Sequence, residues 1–105
     1  MDADAVFKVL SDRTRRNLFG RLCQEGTLSV HALTEGAGMS QPAVSRHLAL
    51  LREAGLVTPH PAGRETLYRA EPAALAPLTD WLRFYSGFWD RKLDGLEDLL
   101  KRMDQ

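Results

Sequence analysis

Apolar positions between residues 40 and 55 recur with the spacing of a short helix that has two unlike sides. Val44, Leu48 and Leu51 are separated by four and three residues, which places them on one side of a helix. Ser40 is suited to the N-cap, and Gly55 is suited to the stop after the last turn. The pattern therefore predicts a helix over residues 40–54 with one buried side.

The other side of this predicted helix is small and polar. It carries Gln41, Pro42, Ser45, Arg46 and Ala49. A face of this kind can approach another surface closely and form hydrogen bonds with it. A shorter helix signal at residues 29–35 precedes it, separated by a linker with two glycines. Two helices joined by a glycine-containing turn are typical of a helix-turn-helix DNA reader, here about residues 29–54.

The period of the pattern changes after residue 55. Residues 56–58 and 66–69 are rich in branched and aromatic side chains, and turn-forming residues lie between them. The pattern predicts a β-hairpin over about residues 56–70, which in this position would be a wing. Arg64 at its tip either contacts DNA or is simply solvated, and both interpretations stay open.

Two further helices are predicted before the helix-turn-helix. The first covers residues 2–10, and the second begins near Thr14, capped by Asp12, and ends at Gly26. Three arginines cluster at the start of the second helix: Arg13, Arg15 and Arg16. They form either a solvated first turn or a phosphate contact. Cys23 is predicted to be a small buried thiol.

A long apolar stripe ends the chain. Its spacing predicts a helix over residues 77–103, roughly 40 Å long, with Gly87 as the expected place of a bend. A domain of this size cannot cover so long a stripe by itself, and exposed stripes of this kind mark association surfaces. Self-pairing about a twofold axis is the favoured interpretation. A ligand pocket lined by Trp81, Phe84, Tyr85, Phe88 and Trp89 is an alternative.

Length and composition narrow the class of protein. The 105 residues allow one domain, residues 1–105, and no run of about 20 apolar residues is present for a membrane span. The acidic start does not resemble a signal peptide, and a lone cysteine fits a cytoplasmic location. The 14 basic residues balance the 14 acidic ones, which counts against a nucleic-acid binder. Residues 40–70 are nevertheless mildly basic, so we expect few phosphate contacts, doubled in a dimer.

The chain resembles the ArsR/SmtB family of bacterial transcriptional repressors. The resemblance is carried, in order and with matching spacing, by residues 7–16, 40–48, 51–57, 63–64 and 67–69. It implies a mainly α fold with a small β-hairpin wing, a winged helix-turn-helix, in which the first and last helices form the surface of a homodimer. It also implies binding to double-stranded DNA at an inverted-repeat operator.

The resemblance and the helix pattern together give two sets of candidate residues. For DNA binding they are Ser40, Gln41, Pro42, Ser45, Arg46, His47 and Arg64. For the dimer surface they are Val6, Phe7, Leu78, Leu82, Tyr85, Phe88, Trp89, Leu93 and Leu96. His47 lies on the border between the two sides of its helix, so a packed role and a DNA contact both stay open.

The metal sites found in parts of this family are not expected here. One such site uses a Cys-x-Cys pair where this chain has Ser29 and His31, and the other uses histidines in the last helix, which has none. No metal or other cofactor is therefore predicted, and a small-molecule effector stays open. Catalysis is not expected, since Ser40, Ser45 and His47 would share one exposed helix without an acid nearby. The alternative function is a winged-helix module that docks a partner protein through its long last helix.

Overall fold

A computed structural model describes residues 2–103, apart from the side chains of Trp89 and Leu93. The described residues form six α-helices, one 3₁₀-helix and three strands. In chain order these are α1 (Ala3–Leu10), α2 (Arg13–Glu25), β1 (Leu28–Ser29), α3 (Val30–Thr34), α4 (Gln41–Glu53), β2 (Val57–Ala62), β3 (Glu65–Ala70), the 3₁₀-helix (Pro72–Leu75), α5 (Ala76–Phe84) and α6 (Ser86–Met103). The expected mainly α winged helix-turn-helix is confirmed.

Aspartates cap the first two helices as their positions predict. The Asp2 carboxylate accepts a hydrogen bond from the Ala5 N–H at 2.9 Å, and the Asp12 carboxylate accepts one from the Arg15 N–H at 3.0 Å. Each bond satisfies a donor that has no partner within its own helix. The 13 residues of α2 end at Gly26, which adopts a φ of +89°.

The wing belongs to a three-stranded antiparallel sheet in the order β1-β3-β2. The hairpin pairs Val57 with Ala70 at its base and Ala62 with Glu65 near its tip. The first strand, β1, was not predicted, because two residues are too few to show an alternating pattern. It pairs with Leu67 and Tyr68 of β3, and so ties the start of α3 to the wing.

One core holds the inner side of α4 in place. Its buried members come from α1 to α4, the segment between α4 and the wing, and the base of the wing. They are Val6, Leu18, Phe19, Leu22, Leu33, Val44, Leu48, Leu51, Ala54, Leu56, Val57 and Ala70. Because α4 contributes three fully buried side chains, its orientation is set by this core rather than by the exposed residues.

The long last helix was predicted as one element and is two. The break lies at Tyr85, with φ −100° and ψ 6°, and not at Gly87. There the Tyr85 N–H bonds to the carbonyl of Leu82 at 3.0 Å, three residues back, so the end of α5 is tightened. Every α6 side chain that the structure describes is exposed.

The prediction that Cys23 is buried was wrong, because the structure exposes it. The inner side of α2 is formed by Leu18, Phe19 and Leu22. Cys23 follows Leu22 by one residue, which is about 100° around a helix, and so it lies beyond the edge of the buried stripe.

Candidate nucleic-acid interface

Both ends of α4 are built by local chemistry. The Ser40 hydroxyl accepts a hydrogen bond from the Ala43 N–H at 3.3 Å, and Pro42 occupies the first turn. At the other end Gly55 takes a φ of +76°, and the Leu56 N–H bonds to the Leu51 carbonyl at 3.0 Å. This left-handed ending turns the chain directly into the wing.

The exposed side of α4 is the small polar face that the sequence indicates. Val44, Leu48 and Leu51 are fully buried. The exposed positions include Gln41, Pro42, Ser45, Arg46 and Ala49. In the described chain, the Arg46 guanidinium and the Gln41 amide have no hydrogen-bond or ion-pair partner. Their donors and acceptors are therefore available to a ligand outside the protomer.

The tip of the wing lies across a groove from the start of α4. The groove has a volume of about 500 Å³ and opens between α3, α4 and the hairpin. Its lining residues are Ser29, Val30, His31, Gln41, Arg64, Glu65 and Thr66. Arg64 and Gln41, predicted separately from the wing and the helix, thus line one polar groove. Nε2 of His31, which also lines it, lies 3.2 Å from a carboxylate oxygen of Glu35.

His47 is held inside the protomer rather than on the outer side of α4. Its side chain is 22% exposed, and its Nδ1 lies 3.4 Å from Nη1 of Arg15 and 4.0 Å from the Asp12 carboxylate. Of the two interpretations open for this residue, the structure therefore favours the packed one. A residue on the border of a helix face packs against whichever neighbouring helix lies close to it. For His47 this neighbour is the start of α2.

The three arginines at the start of α2 have different surroundings. Arg15 donates from Nε to the Val9 carbonyl at 2.7 Å, and Arg16 donates from Nη1 to the Leu10 carbonyl at 2.7 Å. Both therefore satisfy carbonyls at the end of α1, which neither sequence interpretation foresaw. Arg13 is exposed and pairs with no other described residue. Its whole guanidinium is therefore available for phosphate.

Arg21 fixes the turn of the helix-turn-helix. Its guanidinium donates to the carbonyls of Leu33 at 3.2 Å, Glu35 at 3.2 Å and Ala32 at 3.4 Å, and it pairs with Glu25 at 3.0 Å. These carbonyls lie at the end of α3, where a helix leaves acceptors without internal partners. Sequence reasoning missed this role, because nothing local links residue 21 to residues 32–35.

A carboxylate anchors the base of the wing. Glu71 accepts from the Thr58 hydroxyl at 2.9 Å and from Nη2 of Arg69 at 3.2 Å. The Thr58 hydroxyl and then the Arg69 guanidinium hold the pKa of Glu71 below its ordinary value. Asp12 also has a lowered pKa, chiefly because the Arg15 backbone N–H donates to its carboxylate.

No metal-binding cluster of three or more histidine, cysteine or acidic residues occurs within the described part of the chain. In the same part, no helix is both long enough and apolar enough to span a membrane.

An aromatic surface joins α1 to α5. The Phe7 and Trp81 rings meet edge to face with centroids 5.3 Å apart, and Trp81 and Tyr85 lie 5.1 Å apart. These three rings remain 40–46% exposed. The surface continues through Leu82, Phe84, Phe88 and Leu96, all of them exposed. Large apolar side chains left uncovered in a row indicate that another surface covers them.

Not every candidate for the dimer surface lies on this surface. Val6 has no exposed area, so its placement there was wrong: it turns inward from α1 to the core. Leu78 is half-buried against the same core. The side chains of Trp89 and Leu93 lie outside the described residues.

Comparisons with known proteins agree with this geometry. A helix-turn-helix domain family matches residues 10–60. The HTH-type transcriptional regulator Rv2034 of Mycobacterium tuberculosis is 41% identical over 98 residues, which cover 92% of this chain and 87% of the regulator. An ArsR-like transcriptional regulator from Rhodococcus sp. RHA1 superposes with a TM-score of 0.69 at 32% identity, over 91% of this chain and 90% of that one. The chain belongs to the ArsR family of transcriptional regulators.

A further solved structure, of a possible ArsR-family transcriptional regulator, bears on assembly. The homodimeric winged helix-turn-helix DNA-binding domain Mb0332 of Mycobacterium bovis matches with a TM-score of 0.64 at 26% identity, over 80% of this chain and 77% of that one. Membership of the ArsR family makes this chain a DNA-binding regulator. The comparisons do not favour the alternative of a module that only docks a partner protein.

Proposed function

We propose that this ArsR-family chain is a homodimeric repressor that binds an inverted-repeat operator through α4. The observation that carries the proposal is the exposed polar side of α4, where Gln41 and Arg46 have no partner in the described protomer and where the wing tip shares a groove with Gln41. A dimer bound over a promoter would exclude the polymerase.

The chemistry of α4 suits the major groove of DNA. An arginine can donate two hydrogen bonds to guanine, and a glutamine can pair twice with adenine. Each such pair contributes about 1–3 kcal/mol of discrimination between bases. We assign these roles to Arg46 and Gln41. Ser40, Pro42 and Ser45 are the small neighbours that allow the helix to approach the base edges.

The wing and the start of α2 supply phosphate contacts. Arg64 lies at the tip of the hairpin, and Arg13 is exposed with no partner in the described chain. Phosphate contacts position a protein on the duplex without reading its sequence. His47 is not assigned a base contact, since it packs against Arg15. It is instead a residue that positions α4.

The second copy would pair through the aromatic surface of α1, α5 and α6. Phe7, Leu82, Tyr85, Phe88 and Leu96 all expose apolar area on it. A twofold dimer places two copies of α4 in successive major grooves, about 34 Å apart. We infer that the dimer acts in the cytoplasm, where its operator lies, by binding rather than by catalysis.

The test compares operator binding with binding to random DNA for wild type, Arg46→Ala and Arg52→Ala. Arg52 is a matched control, because it is an exposed arginine at the other end of α4. The operator fragment is first located by footprinting the DNA upstream of the gene. We expect Arg46→Ala to weaken operator binding about 5- to 150-fold with little change on random DNA. Equal losses on both DNAs would show that Arg46 contacts only phosphate, and an unshifted promoter fragment would refute the function.

A further inference from the structure

We propose that a cavity between α1 and α4 is a binding site for a small organic acid with an apolar body. The cavity has a volume of about 220 Å³. Its walls include Ala5 and Val9 of α1 and Leu50 of α4, with Ala54 just beyond the end of α4. Three charged side chains complete it: Lys8, Arg15 and Glu53.

The volume limits the size of the ligand. An apolar protein cavity of about 150 Å³ holds benzene, whereas sites for drug-sized molecules start at about 300 Å³. A space of 220 Å³ therefore suits a molecule of roughly six to ten heavy atoms. The alanine, valine and leucine walls favour an aliphatic or aromatic body over a sugar or a nucleotide.

The charged side chains favour a carboxylate as the head group. The Arg15 side chain is only 15% exposed, yet within residues 2–103 neither N–H on its Nη2 has an acceptor. Lys8 likewise forms no ion pair with any described residue. Among the lining residues two cations face one anion, Glu53, while Asp12 lies 4.0 Å from Nη1 of Arg15 and leaves Nη2 free. A guanidinium pairs with a carboxylate through strong charge-assisted bonds.

The position of the cavity would couple ligand binding to DNA binding. Nη1 of Arg15 lies 3.4 Å from Nδ1 of His47 in α4, so a carboxylate that binds Nη1 and Nη2 together competes with this contact between α2 and α4. Helix α1 also carries Phe7 on the aromatic surface. We infer that an acid in the cavity lowers operator affinity, and this regulatory part rests on the proposed function.

The binding site itself is tested without DNA, with hexanoate as the probe and with 1-hexanol and hexylamine as controls that share its chain. Chemical shifts of the backbone amides are followed by NMR. Hexanoate should shift the amides of Ala5, Val9 and Ala54 with a Kd on the order of a millimolar or below. The two controls should bind at least about tenfold more weakly, since charge-assisted bonds to the head group are lost. Equal binding of all three molecules, or shifts centred on the aromatic surface, would overturn the proposal.

Two variants check the location. Ala5→Leu fills the cavity, with Ala3→Leu on the same helix as its control, and should raise the Kd for hexanoate at least about tenfold. Lys8→Gln removes one cation, with Lys101→Gln in α6 as its control. It should bring the Kd for hexanoate closer to the Kd for 1-hexanol. Thermal unfolding checks that each variant folds. If Ala5→Leu does not fold, Lys8→Gln decides, and an unchanged preference for hexanoate contradicts the assignment.

The regulatory part is tested by titrating operator DNA with and without hexanoate. If the DNA-bound dimer excludes the ligand from both of its cavities, hexanoate at ten times its Kd should lower operator affinity about 120-fold in wild type, a factor of about 11 for each cavity, and much less in Ala5→Leu. Failure of the wild type to bind DNA at all would refute the proposed function, but it would not affect the binding of hexanoate measured by NMR. Bound hexanoate that leaves operator affinity unchanged would refute the regulatory part alone.

Discussion

Phe84→Ala tests whether a second copy of the chain covers the exposed aromatic surface. Phe84 is 82% exposed, and in the described chain its aromatic contact is with the Tyr85 ring at 5.0 Å. Removing its side chain should therefore change the free energy of unfolding of the isolated protomer little. Complete burial of a phenylalanine stabilises by about 1.5–3 kcal/mol relative to full exposure. About four-fifths of that, roughly 1.2–2.5 kcal/mol, is still available for burial against a second copy.

A twofold interface loses this contribution twice. Phe84→Ala should therefore weaken dimerisation by roughly 2.4–5 kcal/mol, which raises the Kd of the dimer about 50- to 5,000-fold. Sedimentation over a range of protein concentrations measures this Kd directly. Leu50→Ala is the control, because Leu50 is 41% exposed and lies on α4, a helix that carries no residue of the aromatic surface. Its dimer Kd should match that of wild type.

The outcome separates two possibilities. A dimer Kd for Phe84→Ala within threefold of wild type would mean that the second copy does not cover Phe84. A wild type that sediments as a single protomer at micromolar concentration would refute the dimer itself. In that case the exposed aromatic surface would need a different partner.

The remaining predictions concern stability. Arg21→Ala removes a guanidinium that bonds three carbonyls at the end of α3, so it should lower the free energy of unfolding in urea by roughly 1–3 kcal/mol, whereas Arg91→Ala in α6 should have little effect. The pKa of Asp12 is lower in the folded chain than in the unfolded chain, so its contribution to the free energy of unfolding is present above the unfolded pKa and is lost as the pH falls through the folded pKa. Asp12→Asn, which can still cap α2, should therefore make the free energy of unfolding fall less steeply at acid pH. Gly55→Ala should cost about 1–2 kcal/mol, because an alanine is strained at φ +76°. Gly20→Ala, with open space around the added Cβ in α2, should instead stabilise by about 0.5–1 kcal/mol. Equal Tm changes for the two glycine variants would contradict the argument from backbone conformation.

The bounds of the first four helices could be predicted because local chemistry decides them, whereas the first strand of the wing runs to Ala62, four residues beyond its predicted end at residue 58. Ser40 caps α4 and Gly55 ends it, and both signals are readable without any tertiary contact. The two strands of the hairpin were likewise marked by their own composition. The break at Tyr85 was not, because it accompanies contacts of the Tyr85 ring with Trp81 and Phe84 rather than a glycine.

The candidate DNA face was predictable to the same extent. A helix period sorts residues into two sides, so Gln41, Ser45 and Arg46 could be placed on the outer side from spacing alone. His47 lies at the border, and only the approach of α2 decides that it packs against Arg15. The same approach brings one guanidinium nitrogen of Arg15 and one of Arg16 to the carbonyls at the end of α1, whereas Arg13 makes no such bond.

By itself, then, the sequence determined which residues form helices, where most of those helices begin and end, and which side of α4 faces outward. Tertiary structure alone decided which polar side chains are already engaged, which short strand completes the sheet, and where a cavity lies between α1 and α4. The physical reason is the separation along the chain over which each kind of interaction acts. Caps, turns and periodicity act within about four residues along the chain, whereas bonds such as that of Arg21 to the end of α3 join residues that only the packed core brings together.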